Sequence, residues 1–209
     1  KHFYHEPLRK KSIKVADKVL KLYEGLYLYD QTWSAIGKKD NKYHFYTNGR
    51  YVKMYFSTPT CFFNEEFPAV KTFIKDSKGN IIGYARNVDG KEFPNAIRIT
   101  NPDTLRLENN VITEIGWYML EQKKYKEAIS FFKRGVALYP EDLNLIMNIA
   151  HVHLFSGDQK SALDIYKTHQ KDKIRPDYSW EDLMKDDLIY FKDHHYDVKS
   201  FKKIFAVLN

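Results

Sequence analysis

The sequence predicts an α+β protein. An antiparallel β-meander, curled into a barrel or half-barrel, fills the first half, and all-α helical hairpins fill the second. Three observations carry this reading. Between residues 26 and 100, apolar and polar side chains alternate at period two, and the short runs are broken by turn signals such as Asn48-Gly49. Beyond residue 109 the apolar spacing becomes helical. The stretch from Glu114 to Pro140 also matches itself when the chain is shifted by 34 residues.

In chain order, residues 1–16 are polar and basic, with an apolar pair at Ile13 and Val15. Asp17 is placed to cap a brief helix over 18–23, which Gly25 ends. Strands are then expected over 26–29, 33–36, 42–47, 50–56, 61–63, 70–75, 81–86 and 96–100. In the fourth, Val52, Met54 and Phe56 share one face, while Tyr51, Lys53 and Tyr55 share the other. Turns are expected at Asn48-Gly49, over 76–80 and over 88–90. About eight short strands joined this way make a lipocalin-like meander.

The β-domain is therefore placed at 1–100, and Asn101-Pro102-Asp103 opens a linker over 101–108. The α-domain occupies 109–209, with hairpins over about 109–142 and 143–176. Asn109 or Asn110 is expected to cap the first helix, and a polar break at 122–124 separates it from the second, which Pro140 stops. Gly157-Asp158 makes the next break. Residues 175–178 read as a loop, and Ser179 with Asp182 reads as a capping box. Residues 179–208 are then a last helical pair that caps the stack.

Under the 34-residue shift, Gly116 falls on Ala150, Ala128 on Ala162, Ile129 on Leu163 and Phe132 on Tyr166. Small residues let helices approach, and the aromatic four places on fills the next layer of the same face. This resembles the tetratricopeptide repeat, whose Ala-x3-Phe and closing proline are met by Ala128, Phe132 and Pro140. The second repeat departs from the pattern, with Ile174 at the closing place and Pro176 just beyond. The resemblance implies that the first helix of each hairpin lines a concave side. Asn110, Thr113, Trp117, Leu120 and Glu121 would lie there, then Asn144, Met147, His151, Leu154 and Phe155. So large an apolar cluster is not expected to face water. A partner peptide or the chain's own β-domain is expected to fill it.

A second resemblance rests on Tyr23-Glu-Gly-Leu-Tyr27, Phe62-Phe63, and Phe73-x-x-Asp76-x-x-Gly79 followed by Gly90. In this order, and with helical repeats behind them, these pieces look like the small β-domain that follows the catalytic domain in bacterial β-lactamase-related serine hydrolases. The resemblance implies a non-catalytic accessory or protein-interaction region, an upstream hydrolase domain as partner, and an exported or periplasmic location. The start at Lys1 fits a fragment or processed form, with any export signal upstream.

Composition narrows the alternatives. Aromatic residues make up 16% of the chain, which suits β-structure. One cysteine, Cys61, allows no internal disulfide, and this fits the cytosol as well as an exported protein. No run of residues is long and apolar enough to span a membrane. The net charge of +7 lies in the first half, where residues 1–100 hold 18 basic against 10 acidic side chains. These are scattered singly and no nucleic-acid motif accompanies them, so a solvated surface is expected rather than nucleic-acid binding.

Catalytic and metal-binding patterns are weak. Ser130-x-x-Lys133 and Ser200-x-x-Lys203 match a nucleophile motif, but both sit in helices that the repeat spacing already explains. Tyr46-Thr-Asn48 precedes them inside a hairpin, and no Lys-Thr-Gly follows. His151 and His153 are two apart on a helix and diverge. His194-His195 reads as a solvated turn, and Cys61 as a small buried hydrophobe. No catalytic residue, metal or cofactor is expected. The alternative function is small-ligand binding inside the β-domain, in a cup lined by Tyr and Phe.

Overall fold

The computed structural model describes residues 11–66, 69–101, 105–194 and 196–208. Pro102, Asp103 and His195, on which parts of the linker and histidine readings rest, lie outside the described residues. The chain divides into two compact units, Lys1–Asn101 and Pro102–Asn209.

The first unit opens with helix α1 (Asp17–Tyr23). Its cap position is Ala16 rather than Asp17, whose carboxylate instead sits in the positive first turn. Among the described residues nine strands follow rather than eight. They are β1 (Gly25–Tyr29), β2 (Thr32–Lys39), β3 (Lys42–Thr47), β4 (Arg50–Lys53), β5 (Tyr55–Thr58), β6 (Cys61–Phe63), β7 (Val70–Lys75), β8 (Ile81–Val88) and β9 (Lys91–Ile99). They form one antiparallel sheet in the order β4-β3-β2-β1-β9-β8-β7-β6-β5.

The expected strand over 50–56 breaks at Met54. β4 and β5 are consecutive in sequence yet lie at the two ends of the sheet order, so the nearly closed barrel has its seam there. Ile13 bridges to Phe56 through a 2.7 Å hydrogen bond and covers part of the β5 edge. β9 begins five residues before the strand expected at 96–100, directly after Asp89-Gly90. Pro94 masks this in the sequence. Its missing N–H is absorbed by a register shift between Tyr84 and Arg86 of β8. Asn48 and Gly49 have φ of 50° and 74°, the left-handed pair that a two-residue hairpin needs.

Inside this unit an aromatic core gathers Tyr23, Tyr27, Phe45, Phe56, Phe62, Phe73 and Tyr84 with Ile36, Ile81 and Ala96. Tyr23, from α1, stacks on Phe73 with ring centroids 3.7 Å apart and donates a hydrogen bond to the Pro59 carbonyl. Cys61 is only half-buried. In the three-residue β6, Phe62 takes the inward place, and the Cys61 sulfur accepts from Thr72 Oγ1 at 3.5 Å.

The second unit holds α2 (Asn109–Glu121), α3 (Tyr125–Leu138), α4 (Leu143–Ser156), α5 (Gln159–His169), α6 (Trp180–Asp193) and α7 (Lys199–Leu208). A two-stranded ribbon, β10 (Lys173–Arg175) with β11 (Tyr178–Ser179), replaces the expected loop. Glu108, not Asn109 or Asn110, is the first cap, and it makes no side-chain capping bond. The breaks at 122–124 and at Gly157-Asp158 separate α2 from α3 and α4 from α5. Asp158 caps α5, and Ser179 and Asp182 form a reciprocal capping box on α6.

Successive helices α2 to α5 pack against one another. At Gly116 an added Cβ would lie 2.4 Å from the Phe132 ring, so α2 and α3 touch at a place where only hydrogen fits. Ala128, Ala162, Phe132 and Tyr166 have no exposed surface. Replacing Ala128 by Leu is therefore expected to overpack α3 and destabilise the protein by about 1–3 kcal/mol. Urea denaturation of the variant measures this, and an unchanged midpoint would contradict the packing described.

Candidate functional site

The ten residues expected on one face of the helical unit separate into two groups. Asn110, Thr113, Trp117, Asn144 and Met147 line a groove of about 510 Å³, together with Asn109, Glu114, Asp142, Asn148, Leu183 and Asp187. Leu120, Leu154 and His151 are buried, Phe155 is half-buried, and Glu121 is exposed.

The aromatic part of this face is covered by α6 and α7, an occupant that was not foreseen for it. Phe191 of α6 lies 5.7 Å from Trp117, 5.0 Å from His151 and 4.9 Å from Phe155, centroid to centroid. Phe201 of α7 lies 5.5 Å from His151. Burial of these rings offsets the ordering of the last two helices and leaves only one part of the face open.

His151 is held at both nitrogens. Nδ1 is 2.6 Å from the Tyr166 hydroxyl and Nε2 is 2.8 Å from Asp187 Oδ2. Burial, with the Asp187 charge adding to it, raises Tyr166 well above the ordinary tyrosine range, so its hydroxyl keeps its proton. These bonds satisfy a histidine with no exposed surface, and Asp187 also borders the groove. His153 Nδ1 and an Asp158 carboxylate oxygen approach to 3.2 Å. Among the described residues, no group of three His, Cys, Asp or Glu side chains is placed to hold a metal.

The groove is polar above an apolar floor. Asp142 accepts from the Asn144 backbone and from the Asn144 and Asn109 side chains, which fixes the start of α4. Asn148 is only 7% exposed, lines the groove, and has no side-chain hydrogen bond to any described residue. It lies one 34-residue step after Glu114, as Asn144 does after Asn110. Sequence reasoning missed Asn148 and Asp187. Asn148 was one turn from Asn144 on the same helix face, a spacing that pointed to it.

A second recess lies in the barrel unit. About 220 Å³ is enclosed by Tyr29, Trp33, Phe45 and Tyr84, with Ser34, Thr47, Lys71 and Arg86 among the polar groups. The rest of the interior is filled by the aromatic core, so the expected cup is reduced to this volume. Lys71 is 5% exposed. Its ammonium lies 4.9 Å from the Phe45 centroid and 5.5 Å from that of Phe62, and no carboxylate of the described residues pairs with it. The Ser34 and Tyr84 hydroxyls are 2.8 Å apart. One signal was available for Lys71: strand alternation puts it in phase with Phe73, on the inward side.

The chain matches no protein-family model, and no curated protein or solved structure matches it at a significant level.

Burial, with the Arg86 charge adding to it, pushes the Lys71 ammonium from 10.5 down to about 8. Between these values the unfolded chain binds more protons than the folded one, so stability rises with pH there. Below pH 8 the group is charged in both states and the full cost, about 3 kcal/mol, is present. Lys71→Met is thus expected to be more stable than the parent at pH 7, by up to about 3 kcal/mol, and to lose that advantage as the pH rises from 8 towards 10.5. Urea titrations at pH 7 and pH 10 measure both effects. A variant less stable than the parent at pH 7 would show that Lys71 contributes net stability.

Proposed function

We propose that this chain is a non-catalytic accessory region whose helical unit binds an extended segment of a partner protein. The observation that carries the reading is Asn148, a largely buried residue at the wall of an open groove whose amide makes no hydrogen bond to any described residue. A carboxamide offers one acceptor and two donors, which complement the N–H and C=O of a peptide unit. The neighbouring Trp117, Met147 and Leu183 supply apolar surface for an alternate side chain of the same segment.

The tetratricopeptide-like spacing of the helices agrees with this reading, as does the likeness of the strand-rich half to the accessory domain of β-lactamase-related hydrolases. On that likeness the partner is an upstream catalytic domain or a protein recruited to it, and the location is outside the bacterial cytoplasm. Ser130 and Ser200, the two serines spaced like nucleophiles, lie in α3 and α7, where the Ser200 hydroxyl accepts from Gln159 Nε2 at 3.2 Å.

The test has two arms. An array of random dodecapeptides is expected to yield extended sequences that bind the chain and lose about tenfold in affinity on Asn148→Ala, about 1.4 kcal/mol. Binding indifferent to Asn148, or no binding at all, would remove the groove from the proposal. Nitrocefin and p-nitrophenyl acetate are expected to be hydrolysed no faster than in blank buffer. Saturable turnover that disappears in Ser130→Ala or Ser200→Ala would overturn the non-catalytic reading.

A further inference from the structure

Lys71 on β7 and Arg86 on β8 are directly opposite each other in the antiparallel ladder, and both line the barrel recess. Residues so paired point to the same face, and like charges placed there repel. The repulsion is not relieved from within the described chain. Among the described residues, the Lys71 ammonium lies beside the faces of Phe45 and Phe62. The Arg86 guanidinium lies 3.9 Å over the Tyr29 ring and gives its Nε hydrogen to the Pro94 carbonyl. Neither residue forms an ion pair with a carboxylate of the described residues. A desolvated cation without a counter-charge destabilises a fold, and such groups concentrate where a ligand supplies what is missing.

The surroundings limit what that ligand can be. Tyr29, Trp33, Phe45 and Tyr84 give the recess aromatic walls, and its volume of about 220 Å³ is below the range of pockets that enclose drug-sized molecules. A hydrated inorganic anion would leave those walls unused. A flat ring bearing one acidic group would fill them and place its charge between the two cations.

We propose that the barrel recess is a binding site for a small aromatic carboxylate, with Lys71 and Arg86 receiving the carboxylate and Trp33 and Tyr29 packing on the ring. Ser34 and Tyr84, whose hydroxyls already bond to each other, form a polar edge that accommodates a ring hydroxyl or a ring nitrogen. The residues of the site all belong to the strand-rich unit.

Calorimetric titration of the full chain at pH 7 with benzoate, 4-hydroxybenzoate and indole-3-acetate tests this, alongside benzamide, indole-3-acetamide and inorganic phosphate. At least one carboxylate is expected to bind with a sub-millimolar Kd, and its neutral amide at least tenfold more weakly. Lys71→Met, which removes a buried charge and is expected to fold, should weaken the carboxylate at least tenfold and leave the amide unchanged. Because the anion favours the protonated amine, binding at pH 9 should take up protons, visible as a dependence of the heat on buffer ionisation. The recess is not such a site if no carboxylate binds below 1 mM, if amide and acid bind alike, or if Lys71→Met binds as the parent does. Phosphate bound more tightly than every aryl carboxylate would also overturn the assignment.

Discussion

The ladder between β1 and β9 is the contact on which the strand-rich unit depends. Leu26 pairs with Ile99 and Leu28 with Ile97, which joins the beginning of the meander to its end. Without it the strands would form two separate ribbons, β1 to β4 and β5 to β9, each with one apolar face and no partner for it. With it they form one sheet whose inward faces converge. Tyr27 of β1 and Tyr84 of β8 come within 5.2 Å, and Phe45 of β3 within 5.5 Å of Phe62 of β6. Arg98, opposite Tyr27 in this ladder, donates to the carbonyls of Leu22 and Glu24, so the same region also fixes the end of α1. Among the described residues, closure is left incomplete between β4 and β5, where the chain turns at Met54.

The core so enclosed is aromatic rather than aliphatic, and this has a consequence for its polar members. Rings carry a negative face, so a cation can be tolerated among them at lower cost than among aliphatic groups. Lys71 uses this against Phe45 and Phe62, and Arg86 against Tyr29. The compensation is partial, since burial still shifts the Lys71 ammonium down to about 8. The barrel thus retains a charge that packing alone would exchange for a methionine or leucine.

In the helical unit, the decisive event is the docking of α6 and α7 on the aromatic side of α4. Phe191 occupies a centre formed by Trp117, His151, Phe155, Tyr196 and Phe201. Asp187, four residues earlier on the same face of α6, reaches His151. One helix therefore both buries the rings and satisfies the histidine, and its edge turns half of an open face into a bounded groove. The polar part stays uncovered because Leu183 and Asp187 of α6 border it rather than fill it.

Much of this was legible in the residues themselves. Period-two alternation located the strands, Asn48-Gly49 and Asp89-Gly90 located hairpins, and the 34-residue self-match located α2 to α5 with their breaks, because these are local rules of backbone and side-chain direction. Five of the ten residues expected to face a partner do line the groove. Local rules could not place Met54 at a seam, or continue β9 through Pro94, or seat Phe191 against His151, since each depends on which distant segment lies alongside. The same holds for Lys71. Its inward phase is written in Val70-Lys71-Thr72-Phe73, but that it faces Arg86 in a recess without a carboxylate follows from the register between β7 and β8 and from the closing of the sheet around them. Spacing along the chain determines which face a side chain takes. Only the folded arrangement decides what that face meets, because the partners are brought together by burial and pairing across tens of residues.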